Sequence, residues 1–199
     1  MTASPARRFS LAALTPAPWK NGGGVTREIA AMPQGAGMGD FDWRISVADI
    51  AADGPFSAFP GIDRQIVLLE GAGVRLRADD GRFDHRLDRV GEPFAFAGEA
   101  GVHASLLDGP TRDFNVMTRR GRTRARVWSA REAAAVPGGT QATVMLVIAG
   151  EWHGDVPAST VPMRPGDGLV LGPGAPLHLR PASAESHCLL VTLDLDATP

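Results

Sequence analysis

Hydrophobic and polar residues alternate in short runs along most of this chain. The alternation runs through Val25–Ala31, Phe41–Ile50, Gln65–Leu69, Val74–Ala78, Pro93–Ala97, Phe114–Thr118, Thr143–Ala149, Leu169–Leu171 and Cys188–Leu195. Successive side chains of an extended strand point to opposite faces, so each run predicts a β-strand with at least one buried face. The 24 glycines and 16 prolines break the chain between these runs. Short strands at this spacing predict an all-β sandwich or barrel. One stretch reads as a helix: Ser129-Ala130-Arg131-Glu132-Ala133-Ala134-Ala135, with Ser129 as N-cap and Glu132 completing a capping box, ended by Pro137, Gly138 and Gly139.

The pattern repeats. Gly91-Glu92-Pro93-Phe94-Ala95-Phe96 leads to Val102-His103, and Gly166-Asp167-Gly168-Leu169-Val170-Leu171 leads to Leu177-His178. In both copies the histidine lies twelve residues after the first glycine. Upstream, Leu68-Leu69-Glu70-Gly71 matches Val147-Ile148-Ala149-Gly150. One supersecondary unit is therefore used twice. The second copy, from Pro165-Gly166-Asp167 through Pro173-Gly174 to His178, resembles the second sequence motif of cupins, which are antiparallel jelly rolls. The expected architecture is a bicupin: two cupin-like (jelly-roll) β-barrel halves, residues 1–122 and 123–199.

Composition narrows the function classes. The chain has 199 residues, 44% hydrophobic and 21% charged, as in ordinary globular proteins. A formal net charge of −2 gives no bulk attraction to nucleic acid or anionic membrane. One cysteine, Cys188, excludes an internal disulfide and fits a reducing compartment; it sits in an apolar run and reads as a buried, inert thiol. Arg7-Arg8-Phe9-Ser10-Leu11 has a twin-arginine look, but the apolar run stops at Leu14, short of an export signal. No run approaches the ~20 apolar residues of a membrane span. A cytoplasmic protein is expected, with neither nucleic acid nor membrane as partner; a homodimer is compatible with all of this. The densest charge run, Arg119 to Arg126, has five arginines and no interleaved aromatic side chain, so it reads as a solvated connector or a charge-protected edge strand.

Metal-dependent cupins use a His-x-His pair, a glutamate and a third histidine. The five histidines here are His85, His103, His153, His178 and His187, and no two are two residues apart. No metal and no other cofactor is expected. There is no Gly-x-Ser-x-Gly elbow, no triad and no obvious acid–base pair of carboxylates, so no catalytic residue is nominated.

The informative polar residues lie in the first half. Phe41-Asp42-Trp43-Arg44-Ile45-Ser46-Val47-Ala48 puts Arg44 and Ser46 on one face and Phe41, Trp43, Ile45 and Val47 on the other. Arg27 shares a face with Val25 and Ile29, and must snorkel outward, pair with an acid such as Asp113, or meet an anion. Asp113 and Asn115 share a face opposite Phe114 and Val116. The loop from Asp53 to Arg64 carries its own aromatic anchors and ends in an Asp63-Arg64 pair.

In order along the chain, WKNGGGVTREIA, FDWRISVADI, GPFSAFPGIDR and DFNVMTRR resemble the HutD/Ves family of bacterial proteins. The likeness covers Trp19 to Arg120, with the weaker repeat continuing beyond. The resemblance implies a two-cupin fold without the cupin metal. For the HutD branch it also implies a cytoplasmic role in histidine utilisation, binding a small carboxylate such as formylglutamate or urocanate and restraining pathway flux. It implies no established enzymatic activity.

The residues suit such a ligand independently. Arginine's planar fork grips carboxylate through two parallel, charge-assisted hydrogen bonds. Arg27, Arg44 and Arg64 are candidates for that role. Asn21, Ser46, Ser57 and Asn115 would complete polar contacts to an amide or imidazole. Trp19, Trp43 and Phe59 would wall the pocket, and Asp113 joins the set either as a ligand contact or as a partner of Arg27. An enzyme acting on a small carboxylate in the same pocket, with Asp113 or Glu28 as general base, is the first alternative. A protein-interaction module using the arginine-rich run is the second. In Trp19-Lys20-Asn21-Gly22-Gly23-Gly24, the only lysine precedes the glycines, and a strand pattern follows. A phosphate loop needs the reverse order and a helix. The stretch reads instead as a turn at the rim of a carboxylate pocket, with Lys20 as a second cation.

Overall fold

In a computed structural model, which describes residues 6–156 and 159–196, the chain is built of β-strands and one 3-10 turn, Leu11–Ala13. The strands are β1 (Arg7–Ser10), β2 (Ala17–Pro18), β3 (Gly24–Met32), β4 (Trp43–Ile50), β5 (Gly54–Phe56), β6 (Ile62–Glu70), β7 (Val74–Ala78), β8 (Asp84–Leu87), β9 (Pro93–Ala97) and β10 (Val102–Leu106). They continue as β11 (Thr111–Arg119), β12 (Thr123–Ala130), β13 (Ala134–Val136), β14 (Ala142–Ala149), β15 (Trp152–Val156), β16 (Ser159–Met163), β17 (Asp167–Leu171), β18 (Leu177–Pro181) and β19 (His187–Leu195). Each alternating run read from the sequence lies within or across one of these strands.

The expected helix at residues 129–135 does not form. Ser129 and Ala130 finish β12, opposite Leu189 and Cys188, and Ala134–Val136 pairs with β18. Alanine's helix preference is worth a few tenths of a kcal/mol per residue, and two strand pairings outweigh it.

Two compact units result. The N-terminal unit is Thr15–Arg122; the C-terminal unit combines Thr123 onward with the described residues up to Leu14. The sequence reading placed residues 1–122 in one half, but β1 adds to the C-terminal unit, pairing antiparallel with β17. The N-terminal unit has one sheet in the order β2-β3-β4-β11-β6-β9 and another in the order β5-β10-β7-β8. The C-terminal unit has β1-β17-β14-β19-β12 and β13-β18-β15-β16. Each unit is thus two separate antiparallel sheets rather than a closed barrel.

Eight strands of each unit repeat one plan, while β1, β2 and β3 have no counterpart. β4, β11, β6 and β9 correspond to β12, β19, β14 and β17, and β5, β10, β7 and β8 to β13, β18, β15 and β16. The register agrees as well. β6 slips by one residue against β11 after Leu68, and β14 slips against β19 after Val147, the residue that matches it. Gly91 and Gly166 both take φ near +85°, open to glycine at little cost. Each donates its backbone N–H at 3.0 Å, to the carbonyls of Leu68 and Val147 respectively.

The core of each unit lies between its sheets. In the C-terminal unit Met145, Val147, Leu169, Leu171, Cys188 and Leu190 meet Trp152, Met163, Leu177 and Leu179. In the N-terminal unit Ile66, Leu68 and Phe96 meet Val74, Leu76, Leu87, Val102 and Ala104. Phe9 of β1 is buried, and a Cβ on Gly168 would collide with its ring. Phe9→Ala should therefore destabilise the C-terminal unit by about 3–5 kcal/mol, read as a lower urea midpoint with an unchanged slope.

Candidate functional site

Antiparallel pairing places directly opposed residues on one face of a sheet. The face of the six-stranded sheet that carries Ile66, Leu68 and Phe96 is therefore the inner face of the N-terminal unit. Three rows of residues cross it. Arg44, Met117, Arg64 and Phe96 form the first; Glu28, Ser46, Asn115, Ile66 and Phe94 the second; Thr26, Ala48, Asp113 and Leu68 the third. The polar face of β4 thus turns into the unit, not out to water, and Ser46 is 2% exposed.

Arg64 is 6% exposed, its Nε has no hydrogen-bond partner, and no acid among the described residues pairs with it. Nη1 reaches the Ser57 carbonyl at only 3.5 Å. Its guanidinium lies 5.0–5.6 Å from the ring centres of Phe96, Phe56 and Phe59. Burial, and then the Arg44 charge, press its pKa down to about 10, so it keeps its charge at neutral pH. Arg44 is held by Glu28 Oε2 at 2.8 Å from Nε and, more weakly, by Ser46 Oγ at 3.4 Å from Nη1. An unpaired buried charge costs several kcal/mol, and cation–π contacts offset about 2 kcal/mol of it. Arg64 is thus a buried cation without an acid beside a second cation that has one, an arrangement whose free guanidinium edge suits a carboxylate.

Asp113 is fully buried in the third row. Thr111 Oγ1 donates to its Oδ2 at 3.0 Å, and its Oδ1 has no partner. Burial raises its pKa to about 7, with the Asp49 charge adding to the rise and the Thr111 bond opposing it. Asn115 Oδ1 is also buried without a partner.

The remaining nominated residues divide. Phe59 covers Arg64, and Ser57 helps only through its carbonyl, its side chain being exposed. Trp19 donates from Nε1 to Thr26 Oγ1 at 2.7 Å, anchoring the glycine turn to the third row. Lys20 and Asn21 are exposed, and Asn21 Oδ1 is engaged by the Gly23 N–H at 3.1 Å, so it closes the turn. A Cβ on Gly24 would strike the Asp49 carbonyl and the Trp19 ring, which explains that glycine by close packing. Arg27 is a correction: it lies opposite Val47, on the other face of the sheet, and pairs with Asp49, not Asp113. Asp49 also takes Arg112 at 2.7 Å, and its pKa is lowered: the two arginine hydrogen bonds outweigh burial. Trp43 is on that other face too, away from Arg44 and Arg64. The sequence reading missed Phe96, Met117 and Thr111 as site residues. Only the cross-strand register identifies them, because nothing local in their runs distinguishes them from core.

The repeat supplies an internal control. Matching the two registers, the C-terminal unit has Thr143 where Arg64 stands, Cys188 for Asp113, Leu190 for Asn115 and Trp128 for Ser46. Cys188 and Leu190 are fully buried in its apolar core, and burial pushes the Cys188 thiol to about 12. Arg126, the match of Arg44, lies 5.0 Å over Trp128. The plan therefore folds with uncharged, mostly apolar side chains in place of Arg64, Asp113, Asn115 and Ser46, and the polar set of the N-terminal unit is not required by architecture.

Other features carry less. Among the described residues no cluster of three or more His, Cys, Asp or Glu side chains is arranged to hold a metal ion. His103 and His178 alternate with buried residues and point away from the cores. The arginine-rich run is engaged by acids and carbonyls: Arg120 with Asp63 and Glu99, Arg122 with Asp42, Arg124 with Asp196, and Arg119 with the carbonyls of Gly39 and Phe41. Open clefts lie at Arg77, Phe83 and His103 in the N-terminal unit and at Arg8, Trp152 and Arg164 in the C-terminal unit. Arg8 and Arg164 are paired there with Asp167 and Glu151, and exposed charges are screened by water, so these clefts are weaker anion sites than the buried pair. No helix among the described residues is long and apolar enough to cross a membrane.

The HutD family model matches residues 11–190. Protein Ves of Citrobacter koseri is 44% identical over 136 residues, 68% of this chain and 69% of that protein. Protein Ves of Cronobacter sakazakii is 43% identical over 68% of this chain and 72% of that protein. The solved structure of HutD from Pseudomonas fluorescens SBW25 superposes with a TM-score of 0.82 at 30% identity, covering 97% of this chain and all (100%) of that one. A conserved protein of unknown function from Pseudomonas aeruginosa PAO1 does so at 0.85 and 33%, covering 96% and 100%. A cupin barrel protein from Leptotrichia buccalis, at 0.62 and 11% identity over 94% of this chain and 95% of that one, shares the fold alone, and the all-β cupin-like architecture is shown by such neighbours.

Asp113 ties stability to pH with a definite sign. Its folded pKa, about 7, lies above the ordinary 3.8, so the folded protein holds the proton more tightly. Stability from this group is complete below about pH 4 and is lost as pH rises to about 7, on the order of 4 kcal/mol in all. Urea unfolding of wild type and Asp113→Asn across that range should show the difference between them changing with pH; a constant difference would refute the assignment.

Proposed function

The chain belongs to the HutD/Ves family, and we propose that it is a binding protein whose N-terminal cupin-like unit takes a small anionic metabolite. The ligand is of the formylglutamate or urocanate type, and the protein uses its capture to restrain histidine utilisation. One observation carries the reading: Arg64 is buried, charged and without an acid partner, beside Arg44, on the inner face of the unit. A carboxylate would receive the free edge of Arg64 and lie between the two guanidinium groups. It would convert an unpaired buried charge into a charge-assisted pair, which is worth far more there than at the surface. Phe56, Phe59 and Phe96 supply the apolar wall such sites have. The family's link to histidine utilisation supports the pathway, and nothing in the chamber needs a metal to hold the anion.

Thermal-shift titration with urocanate, formylglutamate, glutamate and histidine tests this. A bound ligand at 100 times its Kd should add about 2.7 kcal/mol of stability. Arg64→Met should abolish that gain while leaving the ligand-free protein as stable as wild type or more so, because the variant removes an unpaired buried charge. Undiminished binding in Arg64→Met would sink the assignment. A ligand that is bound and then consumed over hours would assign the chamber to catalysis.

A further inference from the structure

We propose that Asp113 and Asn115 select the ligand by accepting hydrogen bonds from a nitrogen it carries, so that the chamber is built for an amino-acid-type molecule and discriminates against a plain carboxylate. The inference rests on the carboxylate-binding reading of Arg64 and Arg44 and adds the far end of the same ligand.

The sheet face that carries Arg64 has two buried oxygen atoms without a partner besides the orphan Nε of Arg64: Asp113 Oδ1 and Asn115 Oδ1. Orphaned buried polar atoms are rare in native proteins and call for a partner, since each costs roughly 1–3 kcal/mol of desolvation. Asp113 and Asn115 are two residues apart on β11, on its inner face, and Met117, two further on, is flanked in register by Arg44 and Arg64. Alternate residues of a strand are spaced by about 6.6 Å. An anion on the arginine row therefore leaves the orphan oxygens about one and two such steps away at the backbone, less once the long arginine side chains reach inward. A ligand with a carboxylate and a nitrogen separated by a few carbon atoms would run from the arginine row toward these oxygens.

The sign of the chemistry follows from the atoms. Asn115 Oδ1 can only accept. Asp113 Oδ2 already accepts from Thr111, which leaves Oδ1 as the free acceptor of the ionised carboxylate, the form that a cationic ligand nitrogen favours. An ammonium group has donors for both oxygens, and a secondary amide N–H has one donor for either. An amine would also bring a cation to a carboxyl group that no basic side chain among the described residues neutralises, and that burial and the like charge of Asp49 press toward its neutral form. The second unit shows that the selection is not architectural, because Cys188 and Leu190 occupy the matching positions in an apolar core.

Calorimetric titration of the full chain with glutarate, glutamate and N-acetylglutamate tests this, the three probes sharing a dicarboxylate frame and differing at the nitrogen. Glutamate or N-acetylglutamate should bind at least about tenfold tighter than glutarate, and the better of the two identifies amine or amide as the preferred donor. Asp113→Cys and Asn115→Leu, which import the residues of the second unit, should fold with a cooperative melt and bring that preference down to near parity. Equal binding of glutarate by wild type overturns this inference and leaves the anion site standing. A preference that survives both variants overturns it as well. Binding of none of the three by wild type overturns both this inference and the anion site beneath it.

Discussion

The Arg64 guanidinium is a full charge removed from water with no carboxylate to meet it. Everything informative about the N-terminal unit is arranged around that constraint. Three aromatic rings stand at cation–π distance, a backbone carbonyl approaches to only 3.5 Å, and the like charge of Arg44 acts against it. Cation–π contacts and one long hydrogen bond do not replace lost hydration. A charge held in this condition is stabilised by the rest of the fold and is available to an anion.

The second unit shows what the same fold is like without that constraint. Strand order, the bulge after Leu68 or Val147 and the positive-φ glycine are shared. The positions of Arg64, Asp113, Asn115 and Ser46 are instead held by Thr143, Cys188, Leu190 and Trp128. One copy of the unit therefore buries mainly apolar side chains at these positions, and the other keeps charged and amide side chains there. β1, joined to the apolar copy from the far end of the chain, extends its larger sheet at β17.

Charge placement on the two faces of the large N-terminal sheet is consistent with this division. On one face Arg27 and Arg112 are neutralised by Asp49, with Glu70 adding a second acid to Arg112. On the other, Arg44 has Glu28 while Arg64, Asp113 and Asn115 keep unpartnered atoms. Structural arginines here have acids. The exception lies where the ligand reading places the anion.

Strand positions were legible in the sequence because burial of one face imposes a two-residue period, and that period survives translation into local pattern at Val74–Ala78 or Pro93–Ala97 with no change of boundary. The internal repeat was legible because a glycine at positive φ and the alternation after it recur at fixed spacing. The helix at 129–135 was misread because alanine propensity is local and weak, whereas pairing with β18 and β19 is neither. Arg44, Arg64, Asp113 and Asn115 were identifiable as unusual polar residues on alternating strands. Their convergence was not, and neither was the pairing of Arg27 with Asp49 on the opposite face. A strand's sequence states which residues share a face but not which face points inward, nor which residue of a neighbouring strand stands opposite. Those are properties of register and layer packing, set by contacts between segments far apart in the chain, and only the tertiary structure decides them.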